Sequence, residues 1–302
     1  MGLIRIALAG ATGNLGLPIL EALLDANYPV TVLSRIGGNS SKLKPHPNLV
    51  IKEVDFSSVE SLTPALQGVD VVISCLATIA IGSQNPLIDA SVDAGVKRFI
   101  PAEFGMDSQN PLSVQLPVCA PKAATQKYLL EKSASHPAFT FTGVANGLFL
   151  DWCLEEGIIL DLAHHTATLY DGGDVPFSAT TLADIAKGVL GVIEHQGETA
   201  NRIVYIHSAA VTQNQLIQYA QDKDGKAWQS VVKPTDEVKQ ESFAELAKGA
   251  QADVHAAMVG FSIFGCWRPD YGCDFSAHLD NELLGVKQWS EAELRALVES
   301  LL

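Results

Sequence analysis

Short, nearly continuous apolar runs alternate with helix-period segments through the first half of the chain, and that alternation leaves few folds open. IRIALAG is followed by NLGLPILEALLDAN, whose Leu15, Ile19, Leu20, Leu23 and Leu24 recur at helical spacing. PVTVLSR and NLVIKEVDF read as two further strands, VESLTPALQG as a helix, VDVVISCLA as a fourth strand, NPLIDASVDAGV as a helix and KRFIPAEFG as a fifth strand. APKAATQKYLLEKSAS then predicts a helix and FTFTGVANGLF a sixth strand. Strands that are apolar on both faces belong to a parallel sheet covered by helices on each side. The expected architecture is therefore α/β, a Rossmann-like doubly wound parallel sheet with a smaller, mostly helical C-terminal lobe. From about residue 151 the rhythm becomes irregular, and beyond Val211 it is mostly helical and charged. Boundaries follow: a dinucleotide-type domain over 1–150, completed by parts of 175–208, and a discontinuous substrate lobe over 151–302.

Charge and cysteine usage exclude several classes. Over 302 residues the formal net charge is −14, with no Lys/Arg stripe to hold a phosphate backbone, so nucleic acid is not an expected partner. The five cysteines have no metal-ligand spacing and are expected to be reduced and mostly buried; only an oxidising compartment would bridge Cys266 to Cys273 in CWRPDYGC. The apolar run from Leu3 to Ala9 is too short for a membrane span and lacks a cleavage pattern. Neither membrane nor metal is expected, and the default location is cytoplasmic; oligomeric state is not legible.

GATGNLG, residues 10 to 16, spaces three glycines three apart at the junction of a strand and a helix. In such a crossover Gly10 would permit the tight turn, Gly13 would let backbone approach a pyrophosphate, and Gly16 would let helix and strand pack closely. Thr12, Asn14 and Leu15 between them are candidates for further contacts at a helix N-terminus that favours anions. The second strand ends in Arg35 where an NAD-binding chain usually carries an acid, and Lys42 and Lys44 follow in GGNSSKLK. Cations there suit the 2′-phosphate of NADP, the competing reading being a solvated basic loop. Asp55 after the third strand either caps the next helix or accepts from an adenine amino group. Leu76 and Ala77 past the fourth strand, and Glu103 and Phe104 past the fifth, complete the cofactor-side candidates.

These residues resemble the atypical short-chain dehydrogenases of the NmrA-like and isoflavone reductase-like group. The resemblance rests on GATGNLG, Arg35, VKRFIPAEFGMD at 96–107, Lys122 in APKAATQKYLLE, ANGLF at 145–149 and YDGGDVPFSATTLADIA at 170–186, roughly the first two thirds of the chain. VKRFIPAEFG is the most specific of them. The usual short-chain dehydrogenase pairs a tyrosine with a lysine four residues later, but four residues before Lys122 this chain has Val118. The isoflavone reductase-like group departs in the same way, and the resemblance implies Lys122 as the proton-transferring group. Burial and a neighbouring cationic nicotinamide ring both favour a neutral amine, which makes that role chemically reasonable. A lysine that only holds the nicotinamide ribose is the alternative.

Further candidates carry less pattern. Asn146 in VANGLF can touch cofactor or substrate, or mark a turn, and Phe149 and Trp152, with Phe261 and Phe264, can line an aromatic pocket or belong to the core. His164 and His165 lack a third ligand at useful spacing. The resemblance implies an NADPH-dependent reductase acting on a small aromatic or conjugated secondary metabolite. A second function it implies is an NADP-binding redox sensor that performs no reduction. A third reading draws a catalytic tyrosine from elsewhere, Tyr128 or Tyr170.

Overall fold

The structure is a computed structural model and describes residues 3–302. In chain order its elements are β1 (Ile6–Ala9), α1 (Gly16–Asp25), β2 (Val30–Arg35), β3 (Leu49–Val54), α2 (Val59–Ala65), β4 (Val71–Ser74), α3 (Asn85–Asp93), β5 (Arg98–Ile100), α4 (Ala120–Ser135) and β6 (Thr140–Ala145). They continue with β7 (Leu148–Phe149), α5 (Leu150–Glu155), β8 (Thr166–Tyr170), β9 (Phe177–Thr180), α6 (Leu182–Glu194), β10 (Arg202–Tyr205), β11 (Ala209–Val211), α7 (Gln213–Asp224), β12 (Gln229–Lys233), α8 (Thr235–Leu246), α9 (Val254–Cys266) and α10 (Glu291–Ser300).

The chain forms two compact units. The first takes the chain up to Phe104, then Pro121–Val144 and Ala186–Val204. It is built on a parallel sheet of seven strands in the order β10-β6-β5-β4-β1-β2-β3. Strand order turns back at β1, whose last residue, Ala9, pairs with Leu33 of β2 on one side and Ser74 of β4 on the other. Ligands of open α/β sheets bind beyond the carboxyl ends of the strands at such a switch point. The central strands are buried throughout, as their unbroken apolar sequences require, whereas Val50 and Ile51 of β3 are exposed on the sheet edge. Leu33, Leu62, Val72, Leu129 and Phe141 pack with Phe99, whose ring lies 6.5 Å from that of Phe139.

Charged side chains are sealed into this unit, Arg98 and Glu103 among them. Arg98 on β5 is 1% exposed. It donates from Nε to Thr140 Oγ1 at 2.9 Å, from Nη1 to Thr142 Oγ1 at 2.6 Å and Thr199 Oγ1 at 2.9 Å, and from Nη2 to the Gln196 carbonyl. Each threonine hydroxyl donates its own proton to a carbonyl, of Lys97, Thr199 and His195 respectively, leaving lone pairs for the guanidinium. All these acceptors are neutral, and burial pushes the guanidinium down to about 10.

The second unit comprises Gly105–Ala120, Ala145–Ile185 and Tyr205–Leu302. Its rhythm read as irregular because its sheets are small: β11-β9-β7, with β9 antiparallel to β11 and parallel to β7, and the parallel pair β12-β8. Trp267 is fully buried between Tyr170 and Phe177, with ring centroids at 5.0 and 4.7 Å. Phe261 and Phe264 are buried core residues of α9 that meet Phe243 and Tyr271 edge to face, at 4.7 and 4.9 Å. Cys266 and Cys273 are free thiols with their sulfurs 3.2 Å apart. Ser290 and Glu293 close a capping box at the start of α10. Among the described residues no helix is long and apolar enough to cross a membrane.

His207 in this unit is 4% exposed and shares a hydrogen bond with Ser178 Oγ through Nδ1 at 2.9 Å. Burial pushes its imidazole below the usual value of 6.5, against the opposing pull of Asp274. The unfolded chain therefore takes up this proton first as pH falls. Stability linked to His207 is full above about pH 6.5 and lost as pH drops through the lowered folded value. Comparing urea midpoints of wild type and His207→Gln between about pH 7 and 5 should show a shallower loss in the variant; parallel curves would refute the assignment.

Candidate functional site

Gly10 follows β1 at φ +81°, and a Cβ there would come within 2.2 Å of the Cys75 carbonyl oxygen. Cys75 N donates to Ala9 O at 2.9 Å, so the exit of β4 is held against this turn and cannot yield. A Cβ on Gly16 would sit 2.0 Å from the Gly10 carbonyl oxygen. Both positions accept only glycine, for a left-handed turn in one case and close packing in both. Gly13 N donates to Gly10 O and Leu17 N to Gly13 O, each at 3.0 Å, which folds the turn into the start of α1. Thr12, Gly13 and Asn14 are exposed at its tip, while Leu15 is buried. No side chain caps α1 and its first turn holds no acid, so its N-terminal N–H groups and positive dipole end stay available to an anion. Leu76, half-buried, and Ala77, exposed, continue from Cys75 along the same turn.

A cavity of about 600 Å³ lies beyond β2 and β3, lined among others by Arg35, Asp55, Phe56, Ser83, Asn85 and Pro86. Of Arg35, Lys42 and Lys44, only Arg35 is among the residues lining this cavity. Lys42 closes an exposed 3₁₀ turn, Asn39–Lys42, and Lys44 is exposed just past it. Asp55 does not cap α2: Ser58 does, accepting from Ser61 N. The Asp55 carboxylate instead accepts from the Ser57 hydroxyl at 2.7 Å and the Ser57 N–H at 2.9 Å, which lowers its pKa and keeps an acceptor on the cavity wall. Phe56, Ser83, Asn85 and Pro86 escaped the sequence reading, because nothing in SQNP at the start of α3 signals proximity to the end of β2.

Past β5, Glu103 is buried and Phe104 half-buried. Lys122, in the first turn of α4 and 6% exposed, donates from Nζ to the Glu103 carbonyl oxygen. An ammonium or amine has three substituents or lone pairs to direct, and one carbonyl leaves the remainder for other partners. Tyr128, one alternative acid, donates to Asp89 Oδ1 at 2.6 Å; burial, followed by that carboxylate, raises its pKa. Tyr170 is likewise raised by burial. A tyrosine acid works best with a lowered pKa, and neither hydroxyl has that shift here.

In the second unit Asn146 is fully buried, with N donating to Gly105 O at 3.0 Å and its carbonyl accepting from Thr180 Oγ1 at 2.6 Å. Its Nδ2 donates to Gly147 O at 3.1 Å, whereas Oδ1 has no protein partner. Gly147, at φ +64°, would place a Cβ 1.9 Å from Ser178 O, so ANG is a closely packed bend inside the unit. Phe149 and Trp152 are half-buried and meet edge to face at 6.2 Å. His164 and His165 separate, to Asp161 at 2.8 Å and Asp224 at 2.7 Å. Among the described residues no three His, Cys, Asp or Glu side chains group as metal ligands.

A parallel sheet crossed at its switch point by a glycine turn, with a cation-lined cavity at the end of β2, defines a Rossmann-type α/β protein. The chain belongs to the NmrA-like family, whose pattern matches residues 4–258. It is 34% identical over 312 residues to the oxidoreductase poxI of Penicillium oxalicum, covering 99% of this chain and 95% of that protein. It is 29% identical over 280 residues to the isoflavone reductase homolog IRL of Zea mays, covering 86% and 89%. The solved complex of leucoanthocyanidin reductase with NADPH from Vitis vinifera superposes with a TM-score of 0.76 at 19% identity, covering 97% of this chain and 99% of that one.

Proposed function

We propose that this protein is an NADPH-dependent reductase that delivers hydride to a small aromatic or conjugated metabolite, at a carbonyl, an activated double bond or a quinone-methide-like carbon, with Lys122 moving the accompanying proton. The observation that carries the reading is a buried lysine amine held on the Glu103 carbonyl in the same unit as an uncapped glycine-turn helix and the Arg35 cavity. The names of relatives, an oxidoreductase and an isoflavone reductase homolog, support the reaction class.

The residues fit the cofactor. Gly10 and Gly16 cannot carry side chains, so nothing at those positions blocks an approach to the turn, and Thr12, Asn14 and Leu15, with the uncapped start of α1, are the groups that would meet a pyrophosphate. Arg35 offers a planar, permanently charged fork to a 2′-phosphate, and Asp55 an acceptor to the adenine side. When bound, NADPH supplies the hydride. Lys122 gives its proton to the oxygen or carbon that becomes electron-rich, and the Glu103 carbonyl keeps the amine oriented through the exchange. Within the second unit, Asn146 Oδ1 is a buried acceptor without a protein partner and Phe149 meets Trp152 edge to face, a polar group and an aromatic edge of the kind a small conjugated metabolite calls for.

Purified protein should bind NADPH and oxidise it when presented with a panel of an isoflavone, a leucoanthocyanidin and a benzoquinone, followed by loss of reduced-nicotinamide absorbance. Failure to bind NADPH would end the proposal. Replacing Arg35 with Ala should weaken NADPH roughly 10- to 100-fold, the loss of charge-assisted hydrogen bonds worth about 1.5–3 kcal/mol, while NADH affinity hardly moves. Equal losses for both cofactors would dissociate Arg35 from the 2′-phosphate.

One observation favours a second reading. Val118 stands where a tyrosine acid would be, and Tyr128 is committed to Asp89, which suits an NADP-binding redox sensor as well as a lysine-dependent reductase. NADPH binding without oxidation across the panel, together with a stable protein partner, would select the sensor.

A further inference from the structure

Three buried side chains converge on the residues that follow β5. Gln84, fully buried, donates from Nε2 to Ile81 O and accepts at Oε1 from Ala102 N, both at 3.0 Å. Gln126 donates from Nε2 to Glu103 Oε2 at 2.9 Å, and Lys122 donates to the Glu103 carbonyl. Lys122 and Gln126 are four apart on α4, so one face of one helix grips both the main chain and the side chain of Glu103. Gly143 on β6 lies against the same side chain: a Cβ there would come 2.3 Å from Ile203 Cδ1 and 3.2 Å from Glu103 Cγ. Glu103 and Gln126 are 1% and 5% exposed. Burying a carboxylate and a carboxamide carries a desolvation cost that an apolar pair of equal volume would avoid. What the polar pair supplies is a directional contact at the residue whose carbonyl Lys122 holds.

We propose that Glu103 and Gln126 are positioning residues for Lys122: their side-chain hydrogen bond locks the Glu103 peptide so that its carbonyl holds the Lys122 amine in one place. The proposal rests on the reading of Lys122 as the proton-transferring group and adds the device that orients it. Without the lock, a long lysine side chain samples many rotamers and its amine spends less time aligned for transfer. Glu103 and Gln126 act through Lys122 and touch neither substrate nor cofactor in this scheme.

The test labels the full-length protein with limiting acetic anhydride between about pH 6 and 10 and compares acetylation of Lys122 with that of Lys127, an exposed lysine of the same helix, by peptide mass spectrometry. In wild type Lys122 should react the more slowly. Gln126→Leu should raise the Lys122-to-Lys127 ratio about tenfold or more and move its pH profile, while kcat with a benzoquinone probe falls about 10- to 100-fold and the KM for NADPH stays put. Gln126→Asn, too short to reach the carboxylate, should do the same if the leucine variant folds poorly. The exchanged pair Glu103→Gln with Gln126→Glu, which re-forms the bond in the reverse sense, should restore both readouts. An unchanged labelling ratio and pH profile in a folded Gln126 variant overturns the proposal, as does failure of the exchanged pair to restore them at wild-type melting temperature. Turnover that survives Lys122→Ala instead rejects the proton-transfer reading, leaving the labelling result to decide the geometry separately.

Discussion

Lys122→Ala is expected to lower turnover by about 10²- to 10⁴-fold, the usual worth of a positioned general acid or base. NADPH affinity should change by less than roughly tenfold, since at most one neutral hydrogen bond to the cofactor is lost. Lys127 cannot take over: it is exposed and lies about 140° around the helix from Lys122. Lys122→Arg sharpens the result. It keeps a cation but supplies a group that does not give up its proton, so it should fail to rescue turnover if proton transfer is the role and succeed if only positive charge matters. Single-turnover NADPH oxidation, set beside a fluorescence titration of NADPH, separates the two outcomes.

Truncating Arg98 should produce the largest loss of stability, about 3–5 kcal/mol for Arg98→Ala. That change empties a sealed site and leaves the Gln196 carbonyl and three threonine oxygens without their donor. Arg98→Met should cost much less, because it fills the volume while removing a buried cation that has no anionic partner among its hydrogen-bond acceptors. Urea unfolding of the two variants checks the ordering. Equal losses would mean that the guanidinium's hydrogen bonds outweigh its desolvation, and a stable alanine variant would mean that the site collapses without cost.

Much of the first unit was legible in the order of residues because its strands are buried on both faces and its helices on one. The continuous apolar runs of its inner strands and the period-3.6 pattern of helices such as α1 are therefore strong signals, and APKAATQKYLLEKSAS matches the limits of α4. GATGNLG carried its own geometry, since Gly10 and Gly16 answer to steric demands that no other residue meets. Charge was a poorer guide. Lys42 and Lys44 read as weaker companions of Arg35, and neither is among the residues lining the cavity: Lys42 ends a 3₁₀ turn and Lys44 follows it, and no periodicity encodes where such a turn points. Asn85 and Pro86 stayed hidden for the converse reason: they stand fifty residues from Arg35 in sequence, counted from 35 to 85, and meet it only through strand order. In the second unit β8 and β12 pair in parallel across the intervening α6 and α7, and five residues such as QSVVK carry too little pattern to announce a partner so distant.

β10 is the outermost strand beside β6, and it arrives last. On a ribosome, Ala145–Ile185, which belongs to the other unit, must emerge between the strand that waits and the strand that covers it. During that interval β6 presents an unpaired parallel edge, the kind of surface that recruits other chains. Synthesis speed through this stretch, and any chaperone that shields the waiting edge, therefore bear on how much folded protein a cell obtains, and no single cut in the gene can liberate the unit built on the seven-stranded sheet as a free-standing fragment.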